Sequence, residues 1–258
     1  MLRFSRNISI TLALAGSAAF SLTALAQDEA PPPLDPSTPW LEGWKGSIDL
    51  GLNGASGNTE RFNFRAGLNA ARDTTDYKTT FELTYNYGQD DGDESENRLY
   101  QLLRNDWKFD DSPWGFFAQE SLEIDSFADW DQRLSLFAGP SYQFIKNEKT
   151  SVNLRAGLGL SKEFGGEDDD WTPEALLGAD LEHKIDDRSK VTASVDLYPS
   201  LDDAGEMRAI AKAAYEYVLS EESNMIFKAG VEDRYDSSPG DGQNRNDFTY
   251  FATVGWTF

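Results

Sequence analysis

From Trp44 to the C-terminal Phe258 the chain alternates with a period of two. The first segment puts Trp44, Ile48, Leu50 and Leu52 on one face and Lys45, Ser47, Asp49 and Asn53 on the other. After "SGN" the chain returns with Phe62, Phe64, Ala66, Leu68 and Ala70 alternating with Arg61, Asn63, Arg65 and Asn69. Alternation over this length predicts strands with one apolar face. Apolar sets of the same period mark strands over 81–87, 134–144, 152–160, 175–181, 191–197, 211–217, 225–231 and 248–258, with a weaker one over 99–109. A fifth strand in chain order, roughly 115–125, has ambiguous facing. The sum is about 12 strands, an even number of the kind found in single-chain transmembrane β-barrels of bacteria.

The connections alternate as well. One set is short: "DTTD", "DDSP", "IKNEK", "IDDR" and "SEES". The other is mostly longer and acidic: "GQDDGDESEN", "EFGGEDDDWT", "SLDDAGE" and "SPGDGQNRN", beside the shorter "SGN" and "SFADWD". Short turns on one side and long loops on the other are the asymmetry of an outer-membrane barrel, with the long set outside and the short set in the periplasm. Aromatic residues gather where this arrangement puts the two membrane interfaces. Trp44, Trp107, Trp114, Phe144, Tyr215, Tyr217, Trp256 and Phe258 fall at one level, and Phe62, Tyr85, Tyr87, Tyr235, Phe248 and Tyr250 at the other. Amphipathic rings prefer the headgroup level. An exported soluble β-sandwich also alternates but needs no aromatic belts. A lipocalin-like barrel would use about 8 strands and turn its apolar face inward. The expected fold is therefore all-β: an antiparallel transmembrane β-barrel of the outer-membrane type.

Composition alone would suggest a water-soluble protein, since 26% of residues are charged and the formal net charge is −22. No window beyond the N-terminus approaches 18 apolar residues, which excludes a helical membrane protein. A transmembrane strand needs only about 9–11 residues, with alternate ones apolar, so low hydropathy is compatible with a barrel. The chain has no Cys, which excludes disulfides and thiolate metal sites. Its acidity excludes nucleic acid as a partner, because no basic stripe is present to neutralise phosphates.

The first residues direct the chain. Arg3 and Arg6 precede an apolar run from Ile8 to Phe20, and Ala24-Leu25-Ala26 closes it. That order predicts a secretory signal peptide over 1–26, cleaved before Gln27. Residues 27–42, with "DEAPPPLDPSTP", are too rich in Pro and acid to pack and are read as an extended periplasmic leader. The barrel domain is expected over 43–258. The expected location is the outer membrane, with lipopolysaccharide at its surface.

The segment "WKGSIDLGLNGASGNTE" resembles the opening hairpin of the salt-induced outer-membrane proteins, a domain of unknown function. Trp44, Gly46, Gly51, Gly57 and Asn58 carry the likeness, and "RLSLFAGPSYQFI" and the terminal "GWTF" fit its middle and end. The resemblance implies an outer-membrane location and a link to salt or osmotic stress, and it supplies no catalytic residues. The C-terminal Phe258, with apolar residues two, four, six and eight positions earlier, also resembles the signal read by the barrel assembly machinery during biogenesis.

Candidate chemistry is sparse. Outer-membrane hydrolases need a His base beside a Ser or paired carboxylates. The one His, His183, falls beside a short turn, so no enzyme and no catalytic residue is expected. No cofactor is expected. The clusters "QDDGDESE" and "EDDD" offer carboxylates for weak Ca²⁺ or Mg²⁺ binding, but their spacing does not match an EF-hand. The lumen is more informative. Alternation points Arg61, Arg65, Arg104, Arg133 and Arg155 inward from the first half of the barrel. It points Glu174, Asp180, Glu182, Asp196, Glu216 and Glu232 inward from the second half, interrupted by Lys212 and Lys228. A basic wall facing an acidic wall would set a field across a polar cavity. Paired charges would instead fill it, since open aqueous channels are typical of about 16–18 strands. The expected function is a narrow passive pore for ions or small polar solutes, cation-preferring because of its acidic mouth. The alternative is a closed structural barrel whose acidic loops protect the envelope; a weaker one is a lipid-modifying enzyme.

Overall fold

The structure, a computed structural model, describes residues 42–56, 60–166, 170–239 and 243–258. The expected signal peptide and leader lie outside the described residues, as do Gly57, Asn58 and the Glu167–Asp169 cluster. Twelve strands form the fold: β1 (Trp44–Ala55), β2 (Arg61–Asp73), β3 (Tyr77–Asp90), β4 (Asp93–Lys108), β5 (Trp114–Asp125), β6 (Gln132–Lys146), β7 (Thr150–Phe164), β8 (Trp171–Lys184), β9 (Ser189–Pro199), β10 (Met207–Ser220), β11 (Met225–Asp236) and β12 (Asn246–Thr257). Each pairs antiparallel with its sequence neighbours, and β12 returns to β1 to close the barrel.

The registers carry the alternation into space. Ile48, Leu50, Leu136, Leu158, Tyr250 and Trp256 stand on the outer face and are exposed, while Ser47, Asp49, Ser135, Arg155 and Thr253 point inward and are buried. This is the reverse of a soluble barrel and disposes of the lipocalin-like alternative. An apolar band around the whole circumference far exceeds the few hundred Å² that a soluble monomer exposes. Hydrocarbon removes that cost, and closure leaves no unpaired edge in it, so the barrel is a transmembrane one of the outer-membrane type. Aromatic rings pair across strands near both ends of the band: Trp107 with Phe116 and Trp114 with Tyr142 at one, Phe62 with Tyr87 and Phe64 with Tyr85 at the other.

Strand ends define two rims. The rim carrying the start of β1 and the end of β12 has short connections. Asn147 Oδ1 accepts the N–H groups of Lys149 and Thr150 there, and Asp186 Oδ1 accepts that of Arg188, side-chain turns that fix a tight reversal. At the opposite, loop rim the expected long loop "GQDDGDESEN" is a correction. β3 and β4 run on to a two-residue turn at Asp91 and Gly92, both with positive φ (50° and 90°). That is the hairpin turn that an Asp-Gly pair favours, because it matches the twist of the flanking strands. Alternating polar residues on the extended strands made the segment read as loop.

Candidate functional site: the charge-filled lumen

Inward alternation loads the lumen with ionisable side chains, and nearly all of them meet a partner. Near the loop rim, Arg208 holds Glu174 through two hydrogen bonds, Nε–Oε1 at 3.0 Å and Nη2–Oε2 at 2.6 Å, and lies over the Tyr198 ring. Arg98 binds Asp125 and reaches Asp247, both at 2.6 Å. Arg133 bonds Glu163 and lies 4.4 Å from the Trp130 ring centroid. These groups surround a cavity of about 280 Å³ that opens at the loop rim.

Deeper in, bridges join opposite walls. Arg234 on β11 reaches Glu123 on β5, six strands away in a ring of twelve. Lys212 on β10 reaches Glu82 on β3, and Arg104 on β4 reaches Asp180 on β8 at 3.2 Å. The Tyr100 ring lies under both Lys212 and Arg234. Arg155, whose side chain is fully buried, donates to Gln119 Oε1 at 2.7 Å and to Asp196 Oδ1 at 2.9 Å. Beside these pairs sits an apolar layer of Phe117, Phe137, Leu176 and Tyr198, with Ile210 packed against it. In the same region Asp106 Oδ1, Gln119 Nε2 and Arg155 Nε make no hydrogen bond to protein. A buried polar group left so is costly, so this layer is where hydration stabilises the lumen most.

The residues singled out from sequence are distributed as follows. Arg65 (paired with Glu232), Arg104, Arg133, Arg155, Asp180, Asp196 and Glu232 project into the lumen. Glu216 pairs with Lys190 near the terminal rim. Arg61 stands on the loop rim, half exposed, against Asp90, because β2 begins at that residue. The two walls are mixed rather than segregated. Arg208, Lys212, Lys228 and Arg234 stand on β10 and β11, and Asp106, Glu123 and Asp125 on β4 and β5. Glu123 and Asp125 escaped sequence reasoning because β5 carries polar residues on both faces; Arg208 and Arg234 were legible from strict alternation with Ala209 and Tyr235. A transverse field is thus replaced by a lattice of local compensation.

Among the described residues no group of three or more acidic or His side chains is arranged to hold a metal ion. In the Asp91 hairpin the acids have other partners: Asp90 binds Arg61, Asp91 accepts the Glu60 N–H and Glu94 accepts from Asn97. His183 stands on β8 near the terminal rim, its Nδ1 2.8 Å from Thr150 Oγ1 and away from the lumen bridges.

The fold is similar to several solved outer-membrane proteins at low identity. The NanC porin matches at 10% identity and TM-score 0.49, over 83% of this chain and 98% of that one. The translocator domain of the autotransporter NalP from Neisseria meningitidis matches at 12% and 0.44, over 84% and 88%. The KdgM porin, in complex with disordered oligogalacturonate, matches at 12% and 0.44, over 82% and 99%. Likeness at this level carries nothing about solute or activity. No curated protein matches the chain. The sequence model described as "Protein of unknown function, DUF481" matches residues 48–258, from the first inward-outward alternation to the last residue, and the chain belongs to that family.

Proposed function

We propose that this protein is an outer-membrane channel of narrow bore, passing ions or small polar solutes, whose lumen is shut by side chains in the state described. The supporting observation is the chemistry of its bridges. Opposite walls are joined by Lys212–Glu82 and Arg234–Glu123, long flexible side chains that can part without breaking any backbone pairing. A barrel needed only as a closed wall could be filled with apolar residues at no loss, since replacing buried ion pairs with well-packed hydrophobic groups is often neutral or stabilising. Acidic residues at the loop rim, Asp91, Asp93 and Glu94 among them, favour cations at the mouth. The link to salt or osmotic stress takes a definite form here. Lys212 and Glu82 are each 21% exposed, so added salt weakens their attraction and opening rises with ionic strength.

The test is planar-bilayer recording of the refolded protein beside Lys212→Ala/Glu82→Ala, which removes the bridge without leaving either charge unpaired. Small cation-preferring steps are expected from the native chain, larger ones from the double variant, and more frequent opening at raised salt. Opening that ignores ionic strength removes the salt link alone. A second reading, the closed structural barrel, is favoured by the apolar layer, in which Phe117 and Leu176 have no exposed surface. Silence from both proteins, each shown to be folded by its gel mobility before and after heating, would sink the channel and leave that reading standing.

A further inference from the structure

The outer face of the barrel is apolar except on one side. Glu120 stands at the middle of β5, facing outward between Ala118 and Leu122. Among the described strand residues it is the one carboxylate or cation of the outer face more than three residues from a strand end. It has no hydrogen-bond or ion-pair partner among the described residues. A carboxylate facing hydrocarbon at mid-depth is unfavourable, and such groups are retained where something other than lipid meets them.

The surroundings supply the complement. Leu103 on β4 lies directly across from Glu120, so the outward carboxamides of Gln101 and Asn105 flank it two residues to either side, at nearly its own depth. Asn105 Oδ1 accepts from Thr79 Oγ1 at 2.6 Å, which leaves its amide N–H groups free to donate outward. Gln101 has no partner within the chain. Beside this row runs a shallow apolar groove of about 490 Å³, its floor lowered by Ala118 and Ala138 and its walls raised by Leu136 and Leu158.

We infer that this face is a self-association surface and that its occupant is a second copy of the same chain. Two barrels inserted in the same direction can meet about a two-fold axis along the membrane normal, and such an interface is isologous: what one copy offers, the other receives at the same depth. An axis passing between β4 and β5 brings Glu120 of each copy against the amides of Gln101 and Asn105 of the other. Acceptor and donors already share one depth on one face, so the surface is complementary to itself. Small residues on the groove floor let the backbones approach, as at other contacts between membrane-embedded segments. The association stands apart from the channel reading, since it uses only outward side chains.

Because the chain has no Cys, a single introduced thiol reports on one face at a time. Ala118→Cys and, on the far side of the ring, Ala213→Cys are reconstituted in lipid vesicles at several protein-to-lipid ratios and treated with a short bis-maleimide. Dimers linked through Ala118→Cys and absent for Ala213→Cys are expected. Glu120→Leu on the Ala118→Cys background should lower the linked fraction at least tenfold, and Glu120→Gln should retain it, because a carboxamide still pairs with the facing amides. If Glu120→Leu does not fold, Gln101→Leu/Asn105→Leu removes the donors instead and should give the same loss. Three results overturn the inference: a native barrel that stays monomeric at every ratio (including one carrying a retained lipid), linking through Ala213→Cys instead, or dimers indifferent to both sets of substitutions.

Discussion

At the scale of single residues, the lumen owes its closure to glycines as much as to charges. Phe137 on β6 lies directly across from Gly159 on β7, and its ring rests against the glycine backbone. A Cβ built on Gly159 would stand 2.3 Å from Phe137 Cδ1 and 2.1 Å from Leu136 O. One on Gly157 would stand 2.7 Å from Phe117 Cζ. The segment "RAGLGL" therefore reads as a shelf on which two aromatic rings of the apolar layer lie flat, the pairing that offsets the weakness of glycine in a strand. Because one clash at Gly159 is with backbone, a side chain cannot simply rotate away. Gly159→Ala is expected to destabilise the barrel by about 1–3 kcal/mol, the range of overpacking. Urea titration of the folded protein in detergent checks this, and an unchanged midpoint would show that ring and strand give way freely.

At the scale of strands, what was legible depended on how cleanly the two faces differ. β1, β2 and β7 declare their facing because outward Ile, Leu and Phe alternate with Ser, Asn, Gly and Arg. β4 and β5 do not. "LYQLL" places Tyr100 and Leu102 inward and Leu99, Gln101 and Leu103 outward, and "FFAQES" sends Phe117 inward and Glu120 outward. Alternation fails there for two physical reasons: the lumen takes aromatic and aliphatic groups for its apolar layer, and the outer face takes a carboxylate. The partners of the lumen charges were beyond sequence altogether, since Arg234 and Glu123 are joined only once the ring closes. That closing seam is the shortest pairing. β1 and β12 share registered pairs from Ser47–Thr257 to Leu50–Val254, with Gly46 and Phe258 exchanging backbone bonds beside them, whereas β1 and β2 pair along their whole length. Amide exchange is expected to be faster at Ile48 and Trp256 than in the β6–β7 pair. Ser47→Cys/Thr257→Cys joins directly opposed residues, whose separation in an antiparallel pair suits a disulfide. Oxidation should slow that exchange and stabilise the barrel by about 2–4 kcal/mol; a seam exchanging no faster than its neighbours would remove the weakness argued here.

At the scale of the whole molecule, direction in the membrane follows from its two rims. The rim carrying both strand termini is made of short turns, closed by their own Asn and Asp side chains, and offers little to bind. The other rim holds the cavity among Arg98, Arg133 and Arg208 and the acidic residues around it, so any solute selection belongs there. Barrels of this type place short turns in the periplasm and the larger connections outside. A channel with its cation-attracting mouth outside and a structural barrel shielding the surface both need that orientation. β9 offers a direct test because it joins Asp187 in one turn to Asp203 in the opposite loop, both exposed, in a chain without native thiols. With a maleimide that cannot cross the outer membrane, Asp203→Cys is expected to label in intact cells and Asp187→Cys only after that membrane is opened. The reverse pattern would turn the barrel over and put the acidic rim in the periplasm, where it could neither shield the surface nor draw in external cations. Equal labelling of both in intact cells would mean that the apolar band does not lie across a sealed membrane, and the channel reading would fall with it.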